Sequence, residues 1–170
     1  LIREFAAQKL AVDPDASLNA KYSRHYLTAL VAMEREARAQ RHLIDFENIC
    51  SAWQRAVADG DAALIEQAAT SFGGCVAQFG LMADGNKLFE DAVERFGATP
   101  EHQAICAQLL DRQSYFVQAL HGLKAASVLQ LRVLALTDNR SLLVRTHIKL
   151  ANYYAEFGAW EQSDFHSDQA

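Results

Sequence analysis

Apolar residues recur at three- and four-residue steps along most of this chain, the spacing that puts them on one face of an α-helix. From Ser17 to about Gln40 the step is kept by Leu18, Tyr22, Tyr26, Leu30 and Met33, and the charged run Glu34, Arg35, Glu36 and Arg38 follows. A second stretch, Ile44 to Ala58, carries Phe46, Ile49, Cys50, Trp53 and Val57, after which Asp59, Gly60 and Asp61 supply a stop and the next cap. Beyond Gly60 the pattern predicts helices over 62–79, 83–96, 101–120, 123–136, 140–157 and 160–170, joined by short turns. Both prolines, Pro14 and Pro100, fall where the periodicity breaks, as a residue that cannot donate to a helix should. Asp138 and Asn139 are placed to cap a helix, and Thr99, Pro100 and Glu101 form a helix start. Trp53 and Trp160 lie on apolar faces and are expected to be buried between helices. No segment alternates with period two, so strands are not expected.

A spaced signature repeats within this pattern: a glycine closing a helix, an apolar or basic residue two positions on, and a small residue three beyond that. The copies are Gly80, Met82, Gly85; Gly122, Lys124, Ser127; and Gly158, Trp160, Ser163, with glycines 42 and 36 residues apart (80 to 122, then 122 to 158). Periods of this size belong to stacked helix pairs, the tetratricopeptide period being about 34 residues. In the last copy, which is written from Val144 onward, the residues Leu150, Ala151, Tyr154, Gly158, Trp160, Ser163 and Ala170 stand where that pattern has its Leu, Gly or Ala, Tyr, Gly, Tyr, Ala and Ala positions. Phe72, Gly73, Val76, Gly80, Gly85, Phe89 and Ala92 match in the first, and Gly122, Ser127, Leu131 and Leu134 in the middle one. The chain thus resembles the tetratricopeptide repeat, which implies an all-α fold of antiparallel helix pairs stacked as a right-handed α-solenoid.

A further resemblance lies in Leu1 to Leu10, in Arg24-His25-Tyr26-Leu27 and in Phe46-Glu47-Asn48-Ile49-Cys50-Ser51-Ala52-Trp53. Together these are similar to bacterial STAND-type signal-transduction ATPases and LuxR-type multidomain transcription regulators. It implies that residues 1–13 are the end of an upstream winged-helix-like domain, or a leading helix, and that residues 14–170 are a tetratricopeptide-like sensor region. With Leu1 in place of an initiator methionine and Ala170 falling within a repeat, the chain is expected to be a fragment, its C-terminal end truncated.

The net charge of −5, from 21 acidic and 16 basic residues with the basic ones scattered, argues against direct nucleic-acid binding, which needs clustered positive charge. Cys50, Cys75 and Cys106 sit in apolar helical runs with neither zinc nor disulfide spacing and read as reduced thiols of a cytoplasmic protein. No membrane span or export signal is seen, and no membrane partner is expected.

Catalytic signatures are also missing from the sequence. Gly73-Gly74 lacks the Gly-Lys-Ser or Gly-Lys-Thr of a phosphate loop, the six histidines are dispersed, and no serine or cysteine has a nucleophile elbow. No enzyme activity, cofactor or metal is expected. In stacked helix pairs the first helix of each pair lines a concave groove. That register gives Gln67, Thr70, Gly74 and Gln78; then Leu109, Arg112, Phe116 and Leu120; then Arg145, Ile148, Asn152 and Glu156. Among them Arg112, Arg145 and Asn152 suit a peptide carboxylate or backbone, and Phe116 an apolar anchor, while a merely solvated inner face is the other reading. The expected function is a non-catalytic sensor segment that receives a protein, peptide or small-molecule inducer and signals to an adjoining ATPase module. The alternative is a free-standing scaffold that mediates protein interaction or self-association as a homo-oligomer.

Overall fold

Four glycines with positive φ set where this chain turns. The computed structural model describes residues 16–35 and 42–170, which form eight α-helices and no strand. They are α1 (Ala16–Arg35), α2 (His42–Asp59), α3 (Ala62–Gln78), α4 (Met82–Phe96), α5 (Gln103–His121), α6 (Leu123–Leu136), α7 (Arg140–Glu156) and α8 (Trp160–Gln169). The segment 1–13 and the charged residues Glu36 and Arg38 lie outside the described residues.

Gly60, Gly80 and Gly158 have φ of 73°, 70° and 71°, a left-handed conformation that glycine adopts without steric cost. All three close their helix the same way. The glycine N–H reaches the carbonyl three residues back (Val57, Ala77, Ala155), and the following N–H reaches the one five back (Ala56, Val76, Tyr154). This is the Schellman arrangement, which satisfies carbonyls left over at a helix end. Gly122 works differently: with φ 83° and ψ 176° it alone connects α5 to α6, its N–H still bonded to the Gln118 carbonyl and its own carbonyl accepting from Ala126. The three similarly spaced glycines of the sequence signature are therefore two of one kind and one of another, and Gly60 belongs with the two.

Caps follow the local chemistry. The Asp61 carboxylate accepts from the Leu64 N–H at 3.1 Å, and the Asn139 side chain from the Leu142 N–H at 3.1 Å. At Pro100 the expected α-helical start is instead a 3₁₀ turn, Pro100–His102, with α5 beginning at Gln103. Thr99 is extended there, as a residue before proline prefers, and its hydroxyl lies 2.7 Å from His102 Nδ1.

Packing divides the chain into two compact units, residues 1–68 and 69–170, the division falling inside α3. In the first, α1 packs on α2. Leu27, Leu30, Ile49, Ala52, Trp53 and Ala56 are buried, Tyr22 donates to Asn48, and the Arg55 guanidinium sits over the Tyr22 ring while bonding Asn19. Leu18, assigned by its spacing to the apolar face, is 49% exposed.

In the second unit α4 packs on α5, α5 on α6, α6 on α7 and α7 on α8. A column of rings runs through it, Phe72 to Phe89 at 5.9 Å and Phe89 to Phe116 at 5.6 Å, all three buried. Gly85 is what lets Phe116 in, since a Cβ there would come within 2.5 Å of its ring. Ala107, Leu110, Val133 and Leu142 make a second apolar cluster joining α5, α6 and α7. Trp53 is fully buried, but Trp160 is 65% exposed, contrary to its expected burial. Trp160 is the first residue of α8, whose buried positions are Ser163 and His166, so the indole falls outside the packed face.

Candidate binding site on α3, α5 and α7

Helix α5 is buried along both flanks, and one of its buried residues is a carboxylate. Asp111 is 1% exposed and shares a helical stripe with Ala107, Leu110 and Ser114. A charge there is tolerable only if it is paired and hydrogen-bonded. Its Oδ1 accepts from Lys149 Nζ at 2.7 Å and from Gln130 Nε2 at 3.2 Å, and its Oδ2 from Arg145 Nη2 at 2.8 Å. Gln130 also donates to the Ser114 hydroxyl, and Ser114 to the Asp111 carbonyl. Burial alone would raise the Asp111 carboxyl, but Lys149, Arg145 and Gln130 together hold it below the usual carboxylate value.

Beside this centre lies a cavity of about 330 Å³ lined by Gly73, Gly74 and Ala77 of α3, Asp111, Arg112, Tyr115 and Phe116 of α5, and Lys149 of α7. Arg112 Nη2 donates to the Thr70 hydroxyl at 3.0 Å, which ties the α5 wall to α3. Tyr115 is 52% exposed at the rim, with its ring edge-on to Phe116 at 5.4 Å. Phe116 therefore belongs both to the aromatic column and to the lining of the cavity.

Of the residues the repeat register pointed to, Arg112, Phe116 and Gly74 line this cavity, and Thr70 and Arg145 hold residues of its wall. Gln78, Asn152 and Glu156 are exposed and outside the lining, as are Gln67, Leu120 and Ile148. Leu109 is fully buried and faces no groove. Asp111, Tyr115 and Lys149 were not anticipated. A polar residue on the Ala107–Leu110–Ser114 stripe was the signal for Asp111, and Lys149 lies one position from the predicted Ile148.

The chain matches no family model, curated protein or solved structure. Its chemistry is therefore read from its own residues. A larger cavity, about 520 Å³, opens between α4, α5 and α6 against Val93, Leu110, Leu136 and Cys106, with Arg132 and Glu94 as its charged lining. Burial pushes the Cys106 thiol up despite Arg132 nearby, and pushes Cys75 to about 11, so neither is a ready thiolate at neutral pH. That cavity carries one cation and one carboxylate, whereas the smaller one brings Arg112, Lys149 and the already paired Asp111 together with Tyr115 and Phe116.

Between Arg145 and Lys149 in sequence but on another side of α7, His147 Nδ1 lies 2.8 Å from His166 Nδ1, and the His166 ring stacks on Tyr154 at 5.5 Å. Burial, then the neighbouring His147, lowers the His166 pKa. Sequence spacing gave no hint of this pair, because the partners sit on different helices. Among the described residues no group of three or more potential ligands gathers around a metal position, and no helix is long and apolar enough to cross a membrane.

Proposed function

We propose that this chain is a helical-repeat interaction segment, stacked as a right-handed α-solenoid of tetratricopeptide-like helix pairs, that holds a ligand on its α3–α5–α7 face. The observation that carries this reading is the chemically mixed cavity on that face, with Arg112 and Lys149 beside Tyr115 and Phe116. Polar bonds between these alternate helices, Arg112 to Thr70 and Lys149 to Asp111, support a stack in which α3, α5 and α7 are successive inner helices. In this reading the segment does no chemistry of its own. It belongs to a cytoplasmic multidomain signalling or transcription regulator and passes ligand binding to an adjoining ATPase module, a role supported by the resemblance of Leu1–Leu10 and Phe46–Trp53.

Hydrogen exchange tests the face directly. The chain is mixed in turn with a pool of random dodecapeptides and with a pool of small cytosolic metabolites. Protection concentrated on α3, α5 and α7, and lost in Arg112→Glu, is expected from at least one pool. Protection from neither, or confined to α6 and α8, overturns the reading.

A scaffold that self-associates is the second reading, favoured by exposed apolar side chains on α6 and α8. Val128 is 57% exposed, Leu131 43%, Trp160 65% and Phe165 58%. Sedimentation from 1 to 100 μM separates the two: a concentration-dependent dimer abolished by Trp160→Ser and Val128→Ser supports the scaffold, and a monomer throughout removes it.

A further inference from the structure

Resting on the ligand-binding reading of the α3–α5–α7 face, we propose that the cavity there takes a small free organic carboxylate with a flat apolar or aromatic body. Its size is the first constraint. About 330 Å³ is at the lower end of the range for small-molecule sites, enough for one compact molecule. The exposed residues along the same helices, Gln78, Asn152 and Glu156, contribute nothing to the lining, so an occupant gains its contacts within the cavity and not along an extended track.

Charge is the second constraint. The polar lining presents donors. Both oxygens of Asp111 are already occupied, by Lys149 and Gln130 on one and by Arg145 on the other, so the carboxylate has little left to offer an incoming donor. Lys149 has three N–H groups, gives Asp111 a short bond at Oδ1 and a long one of 3.5 Å at the backbone carbonyl, and its side chain is 30% exposed and lines the cavity. Arg112, bonded through its guanidinium to Thr70, lines the adjoining wall. Such a pair suits an anion. Asp111, which lines the cavity and is bonded to Lys149, tempers the positive field, which matches the single charge of a carboxylate better than the double charge of a phosphate ester.

Shape is the third. Tyr115 and Phe116 line the cavity from the turn of α5 that follows Arg112, and the α3 side is floored by Gly73, Gly74 and Ala77. The two glycines differ. A Cβ on Gly73 would press against Phe89 at 3.4 Å, which gives that glycine a packing reason. A Cβ on Gly74 would meet nothing within 4 Å, although glycine inside a helix costs roughly 0.5–1 kcal/mol relative to alanine. Packing gives no reason for a glycine there, but an open cavity does.

The experiment is a calorimetric titration of the 170-residue chain with 3-phenylpropionate and indole-3-acetate, each against its neutral amide. One-site saturable binding is expected, with a Kd below about 1 mM and the acid at least tenfold tighter than the amide. Gly74→Leu, which fills open space, is expected to keep or raise the melting temperature and to weaken the acid at least tenfold. Arg112→Gln, which keeps a donor for Thr70, should bring acid and amide together, and it serves as the readout if Gly74→Leu melts early. Equal binding of acid and amide, no saturation, or indifference to both substitutions overturns the proposal. So does tenfold tighter binding of phenyl phosphate, or of the peptide Ala-Ala-Phe with a free C-terminus. The exchange experiment judges the face itself: protection on α3, α5 and α7 together with failure here removes the carboxylate ligand and leaves the interaction reading standing.

Discussion

Toward α3 and α4, helix α5 offers Phe116 to a column of buried rings, and toward α6 and α7 it offers Asp111 to a buried set of hydrogen bonds. The two sides solve one packing problem by opposite means. Rings gain stability in proportion to the area taken from water, with little directional demand. A carboxylate 1% exposed gains only if every lone pair finds a partner, because desolvation otherwise exceeds the attraction. The ring side therefore tolerates small adjustments of geometry but not extra volume, and the polar side tolerates changes of volume but not the loss of a partner.

The largest effect is expected from removing both cations. Arg145→Met with Lys149→Met leaves Asp111 buried without a counter-charge and should lower stability by about 3–5 kcal/mol, read from the midpoint of urea unfolding. Adding Asp111→Leu to the same chain should restore most of the loss, since an apolar side chain then replaces the whole charged group. If the triple variant stays as unstable as the double, the polar side is held by shape and not by charge pairing.

On the ring side the matching change is Gly85→Ala. Helix propensity favours alanine by up to about 1 kcal/mol, yet the added methyl would enter the Phe116 ring. Phe116 is 1% exposed and fixed by Phe89, so over-packing should win and cost about 1–3 kcal/mol net. A raised melting temperature would mean that the column slides more freely than its geometry implies. Gly74→Ala provides the control, with the same chemical change and no neighbour to strike. Thermal melting should show it more stable by roughly 0.5–1 kcal/mol; a loss would put an unforeseen contact at the cavity floor.

The ring side was also the more legible one. Helix ends at Gly80 and Gly158 follow from a local need for positive φ, so the sequence displays them, and Phe72, Phe89 and Gly85 are among the residues that carry the repeat resemblance. The partners of Asp111 lie 19, 34 and 38 positions away, at Gln130, Arg145 and Lys149, and no local periodicity connects them. Arg112 and Phe116 both line the cavity because they share one face of one helix, whereas Lys149, one position from Ile148, reaches it from α7. In α8 only ten residues are available to define a face, too few to tell that Trp160 lies off it.

A second polar pair extends the contrast from charge to protonation, with the smallest effect. His147 and His166 meet through their Nδ1 atoms, so one ring must donate and the other accept, which a doubly protonated pair cannot do. With its folded pKa lowered from 6.5, His166 takes up a proton more readily in the unfolded chain than in the folded one. Stability from this contact is therefore complete above about pH 6.5 and falls as pH drops from there toward the lower folded value. Asp111, a carboxylate with a lowered folded pKa, adds a loss of the same sign, but only as pH falls below the ordinary carboxylate value of 3.8. Urea unfolding followed from pH 7.5 downward should thus show stability falling between about pH 6.5 and 5, and His166→Phe, which keeps a ring against Tyr154, should flatten that slope while leaving the further loss below pH 3.8 in place. An unchanged slope in that variant would assign the titration to another group and leave the imidazole pair a packing contact only.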